Sequence, residues 1–166
     1  MFIRAYAPSD AFDTAALFYQ TVHSVNARDY TQRQLDAWAQ RDRDVKAWND
    51  SLLQHTALVA LEEDVLVGFG DIDGVSGYLD RLYVHRDYQR RQVATTLCRR
   101  LEALCTAERI FTYASLTARP FFEKMGYSTV RRNTVIRQGV ALDNYLMEKL
   151  RGTTGQGGDF DRLQTG

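Results

Sequence analysis

The sequence predicts a mixed α/β domain (the α+β kind): a mostly antiparallel central sheet of about seven strands, flanked by helices. Three observations carry this. The apolar runs 56–61 and 65–69 are separated by the polar turn Glu62-Glu63-Asp64, which is hairpin patterning. Residues 78–114 read as strand, amphipathic helix and strand, a crossover whose two strands should be parallel. Residues 127–136 and 140–149 form a closing hairpin around Gln138-Gly139. The 166 residues suit one domain, placed at 1–150, with a flexible glycine-rich tail over 151–166.

In chain order, residues 2–6 make a short strand ended by Pro8, and Ser9 or Asp10 caps a helix carrying Phe12, Ala15, Ala16, Tyr19 and Val22. Thr31-Gln32-Arg33-Gln34 is a capping box ahead of Leu35 and Trp38. Val45, Trp48 and Leu52 give another helical stripe. After the first hairpin, Asp73-Gly74 marks a turn and Tyr78 to Val84 a strand. Val93, Leu97, Leu101 and Leu104 line a long amphipathic helix, and Ile110 to Ala114 returns as strand. Thr117 caps a short helix with Pro120 in its first turn and Gly126 just past its end. Gly68 and Gly70 mark a close approach to their strand.

Lys+Arg and Asp+Glu are both 21, and this zero net charge argues against a broad electrostatic nucleic-acid binder. No apolar run reaches the roughly 18–20 residues that span a bilayer. Residues 1–6 have no signal-peptide organisation. Cys98 and Cys105 are seven apart; if they share a helix, their Cα atoms are about 10.5 Å apart, too far for a disulfide. The expectation is a soluble, cytoplasmic protein with reduced, buried thiols and no membrane partner. His23, His55 and His85 show no metal-ligand spacing, so no metal is expected. Neither a dinucleotide-binding Gly-x-Gly-x-x-Gly nor a Gly-x-x-x-x-Gly-Lys loop occurs.

The segment 82–94 is the most informative. A strand ends, a polar turn follows and a helix starts, where free N–H groups suit a pyrophosphate. Arg86, Arg90, Arg91, Arg99 and Arg100 cluster there with a single acid, Asp87; an arginine-rich solvated helix face is the plain alternative. Leu82-x-Val84-His85-x-Asp87-Tyr88-Gln89-x-Arg91, followed by Val93-x-Thr95-x-Leu97, resembles the acetyl-CoA-binding signature of the GNAT superfamily of N-acetyltransferases. Gln89 and Ala94 match the ends of its Arg/Gln-x-x-Gly-x-Gly/Ala pattern, whereas Arg90 and Gln92 stand where glycines are usual. Residues 115–127 resemble the family's later motif, and Tyr30-Thr31-x-x-Gln34-x-x-Ala37-Trp38 is similar to a segment of uncharacterised bacterial members.

The resemblance implies a transferase that moves an acetyl group from acetyl-CoA directly to a primary amine. It implies cofactor contacts at Leu82, Tyr83, Val84, Gln89, Arg90, Arg91, Gln92, Val93, Ala94, Thr95, Ser115 and Phe122. The amide of Leu82 would polarise the thioester carbonyl in a gap opened by a bulge between this strand and residues 110–114. Asp80, expected on the strand face of Leu82, is the candidate base, or else a solvent-facing charge or a partner for Arg81. Tyr78 shares that face as pocket wall or proton relay. Phe122 stands where a tyrosine often protonates the leaving thiolate, and it has no hydroxyl. Tyr30 and Trp38 are pocket walls or core, Tyr127 is core, and the acceptor is a small-molecule or peptide amine. Competing readings are a non-catalytic acyl-CoA-binding regulatory module and a nucleic-acid-modifying enzyme of the same fold, the latter drawing only on Arg131, Arg132 and Arg137. The hairpin at 127–149 is a surface through which a homodimer can pair.

Overall fold

The computed structural model describes residues 1–152. Its elements are β1 (Phe2–Ala5), α1 (Ala11–Ser24), α2 (Gln32–Trp38), α3 (Val45–Leu53), β2 (Thr56–Glu62), β3 (Val65–Asp73), β4 (Tyr78–Val84), α4 (Val93–Ala103), β5 (Arg109–Ser115), α5 (Arg119–Lys124), β6 (Ser128–Arg137) and β7 (Val140–Leu150). The seven strands form one sheet in the order β1-β2-β3-β4-β5-β7-β6. Neighbours are antiparallel except β4 and β5, which are parallel, as the crossover demands. The expected tail falls almost wholly at residues 153–166, outside the described residues. Arg151 is tied down, its N–H donating to Glu108 O at 2.7 Å.

Local chemistry explains most boundaries. The β2–β3 turn places Glu63 and Asp64 at φ 49° and 66°, and the β6–β7 turn places Gln138 and Gly139 at 49° and 72°. Two left-handed residues match the twist of a two-residue hairpin. Thr31 and Gln34 close the capping box reciprocally, at 3.2 and 2.9 Å. Two capping expectations are corrected. Asp10 precedes α1 without capping it, because its carboxylate takes Arg4 in a fork (2.7 and 2.9 Å) and the Ala7 N–H. Thr117 Oγ1 makes no hydrogen bond, and Ser115 Oγ instead accepts from Ala118 N at 3.0 Å, ahead of α5.

The sheet separates two cores. On one side α4 and α5 cover Ile72, Leu79, Val84, Ile110 and Met147 with Val93, Leu97, Leu101 and Phe122. On the other, α1–α3 cover Val59, Phe69 and Leu142 with Leu17, Phe18, Leu35, Trp48 and Leu52. Gly70 is glycine because α4 leaves no room: a Cβ there would stand 2.9 Å from both Arg81 O and Leu101 Cδ1. Among the described residues, no helix is long and apolar enough to cross a membrane. Cys98 and Cys105 are free and buried. Burial, then Glu102 nearby, pushes the Cys98 thiol up to about 12, so it is an inert core group.

Candidate active site

The site begins where β4 leaves the sheet. Asp71 pairs with Arg81 and Ile72 with Leu79, so Asp80 is one extra residue on β4, a bulge. Along the β4–β5 seam only Tyr78 and Phe111 pair in the strand register, joined by a Thr112 Oγ1 bond to Leu79 O at 2.8 Å. Beyond that point the two strands separate, and Leu82–Val84 lie beyond the β5 ladder. The bulge also corrects the expected facing. Leu79, Leu82 and Val84 pack toward α4, whereas Arg81 and Tyr83 belong to the other face. Asp80 and Tyr78 line a cleft on that other face with Arg81 and Tyr83, not the face of Leu82.

At the far end of β4 the chain enters the loop before α4. His85 Nδ1 accepts from Asp87 N at 3.1 Å, and Gln89 Nε2 donates to Val84 O at 2.6 Å, tying the loop to the strand end. Gln89 thus spends its amide on the protein's own backbone. Arg90 and Gln92 have φ of 60° and 66°, the left-handed conformation natural to glycine. The loop keeps a glycine-type path without glycine. Gln92 caps nothing with its side chain, and Val93, Ala94 and Thr95 form the open first turn of α4. Arg91 lies over the Tyr88 ring at 5.1 Å, and neither Arg90 nor Arg91 makes an ion pair among the described residues.

The cleft has a volume of about 740 Å³. Its floor holds a charge network that sequence reasoning missed. Asp71, fully buried, accepts from Arg81 Nε and Nη2 at 2.8 and 2.6 Å and contacts His55 Nδ1 at 2.8 Å. Arg81 also donates to Ser51 Oγ at 2.9 Å. Asp80 sits beside this pair, 3.7 Å from Arg81 and 3.9 Å from His55, and accepts from Tyr78 OH at 3.2 Å. Burial, then the Asp71 charge, raises the Asp80 carboxyl above its ordinary value despite Arg81. Burial, then Asp80, raises the Tyr78 hydroxyl, so Tyr78 stays protonated and donates. Burial opposes the charge on Arg81, but its bonds to Asp71 outweigh that and raise it. The ligand atoms of His55, Asp71 and Asp80 lie within 4.8 Å of one another, but both Asp71 oxygens are taken by Arg81, so the cluster is an ion network. The signal for it was Asp71 itself, a charge at an inward position of an apolar strand.

The remaining expected residues are spread around this frame. Ser115 lines the cleft, and its Oγ accepts from Asn26 Nδ2 at 3.3 Å. Phe122 is 4% exposed and packs 5.2 Å from both Phe121 and Tyr127, so its ring belongs to the core on the α4 side of the sheet. Tyr30 is buried and its OH bridges Asp143 O (2.6 Å) and Leu116 N (3.0 Å). Trp38 is half-buried, 5.3 Å from Tyr30, and both rings line the cleft. Tyr127 is core, donating to Glu102 at 2.9 Å.

The mixed sheet is thus split at its parallel pair, with an open helix start at one end of the split strand and a titratable cleft at the other. The model of the acetyltransferase (GNAT) domain matches residues 26–149, and the chain belongs to this family. It is 36% identical over 146 residues to the uncharacterized N-acetyltransferase YafP of Escherichia coli K12, covering 87% of this chain and 93% of that protein. A GCN5-related N-acetyltransferase structure from Rhodopseudomonas palustris is similar at 38% identity and a TM-score of 0.86, covering 90% of this chain and 94% of that one. The same fold occurs in yncA of Salmonella typhimurium, solved with acetyl-CoA, at 18% identity, a TM-score of 0.68 and coverage of 93% and 96%.

Proposed function

We propose that this protein is an acetyl-CoA-dependent N-acetyltransferase that acetylates a primary amine by direct transfer, with no covalent enzyme intermediate. The observation that carries the reading is continuity. One strand, β4, runs from the acid-lined cleft at Asp80 to the open start of α4, and its separation from β5 connects the two. Acetyl-CoA supplies the acetyl group as a thioester. The N–H groups of Val93, Ala94 and Thr95, with Arg90 and Arg91, suit its pyrophosphate. The backbone of Leu82 and Val84 suits the pantetheine arm, with the Leu82 amide as donor to the thioester carbonyl.

Asp80 is the general base. An alkylammonium with a pKa of about 10 must lose a proton before it attacks. The buried site raises the basicity of Asp80, and the Tyr78 hydroxyl holds one of its oxygens in place. The second Asp80 oxygen lies near His55 and Arg81, which offset part of the burial and of the Asp71 repulsion without cancelling them. With Phe122 at the usual acid position, the thiolate leaves without a side-chain acid there; a thiol pKa of about 8.5 makes that tolerable.

The same absent hydroxyl is what favours a second reading, a non-catalytic acyl-CoA-binding module. Thiol release from acetyl-CoA on addition of amines separates the two. Amine-dependent release supports the transferase. Saturable acetyl-CoA binding with no release by any amine supports the module.

A further inference from the structure

We propose that the acceptor is a small amine that also bears an anionic group, a carboxylate or a phosphonate-type oxyanion, and that Arg43 is the residue that binds this anion. The inference rests on the N-acetyltransferase reading and narrows its substrate class. Five charged side chains line the cleft: Arg43, Asp80, Arg81, Arg137 and Asp143. Arg81 is matched by Asp71. Asp143 is held by Arg132 and Thr134, both at 2.6 Å. Arg43 and Arg137 make no ion pair among the described residues.

Arg43 is the more constrained of the two. Its guanidinium carbon lies 4.8 Å from the Phe18 ring and 4.9 Å from the Trp48 ring. Arg81 stands 5.0 Å from the same Trp48 ring, so one indole is shared by two cations. The sequence neighbour Asp44 does not compensate, because it caps α3 through Ala47 N at 3.1 Å. Burial, then Arg81, lowers the basicity of Arg43. A half-buried cation beside a like charge is unfavourable unless an anion joins it. Ring faces hold the planar fork while its N–H edge is free for a bidentate oxyanion. Asp80 in the same cleft attracts the ammonium end, so the walls complement a molecule that is positive at one end and negative at the other. A cleft of about 740 Å³ is of small-molecule size.

The test is thiol release with matched amine pairs: L-amino acids and β-alanine against their amides, and 2-aminoethylphosphonate against ethanolamine. The full-length protein should prefer anionic members in kcat/KM by at least about tenfold. Arg43→Gln should reduce that anionic-to-neutral ratio by about 10–100-fold, the worth of a charged hydrogen-bonded contact. Arg43→Lys should retain part of the preference. The acetyl-CoA thermal shift, measured on each variant, shows that the fold and donor site persist. Equal rates within pairs, turnover of none of the panel, or a preference that survives Arg43→Gln overturns the proposal. Loss of the acetyl-CoA shift in the unmodified protein instead overturns the transferase reading. The carboxylate and phosphonate arms tell which oxyanion the site takes.

Discussion

Gln92 and Arg90 stand where the proposed donor loop would ordinarily carry glycine. Both side chains sit on left-handed backbone that costs a non-glycine residue about 1–2 kcal/mol. Gln92→Gly should therefore stabilise the fold by about 0.5–1 kcal/mol, once the entropy of glycine is subtracted, and keep or tighten acetyl-CoA binding. Urea denaturation and a binding isotherm check both; a large loss of binding would assign the amide a contact of its own. At Asp80 the pH dependence has a definite sign. Its folded pKa lies above the ordinary carboxyl value, so the proposed base is ionised, and the rate should rise, as pH passes up through that raised value. Its contribution to stability runs the other way, full below the unfolded value of about 3.9 and lost as pH rises through the folded one. Asp80→Asn should slow transfer by about 100-fold or more near neutral pH, abolish the acid limb of the rate profile and raise Tm at pH 7. An unchanged acid limb removes Asp80 from the mechanism.

At the scale of elements, the strands and helices were legible because their apolar periods are regular and the turn residues are strong. The facing of the site residues was not. Alternation placed Asp80 and Tyr78 with Leu82, but a bulge adds one residue, and a single extra residue reverses every side chain before it. The family resemblance implies a bulge in this strand, but nothing in residues 78–84 fixes its position, which is set by what packs on the two faces. The Asp71–Arg81 pair is of the same kind, joining two strands whose register no local pattern fixes. It should be costly to break. Arg81→Met leaves Asp71 buried with His55 alone and should destabilise the protein by about 3–5 kcal/mol, against well under 1 kcal/mol for an exposed pair such as Lys46–Asp50. A change within error of the surface pair would show that the network carries little of the stability. Gly77, at φ 85°, turns the chain into β4, and a Cβ there would collide with the Arg109 carbonyl. Gly77→Ala should cost about 2 kcal/mol or more and loosen the Tyr78–Phe111 junction where the cleft opens.

For the whole molecule, the two motifs and the order of elements were enough to place the chain in its family. The proposed donor segment can be named from the sequence because the family signature lies in one continuous stretch. The proposed acceptor cleft cannot, because His55, Asp71, Arg81 and Arg43 come from four separate places in the chain and meet only in the fold. The proposed function depends first on that donor segment: the start of α4 must receive a pyrophosphate although Arg90 and Gln92 stand where glycines are usual. A thermal-shift titration with acetyl-CoA, against adenosine monophosphate, tests this most directly. A ligand at about 100 times its Kd stabilises the folded state by about 2.7 kcal/mol, which is about 5–10 °C for a domain of this size. An acetyl-CoA-dependent transferase should show a saturable shift of that order with acetyl-CoA and little with the monophosphate. No shift at millimolar acetyl-CoA would contradict that function.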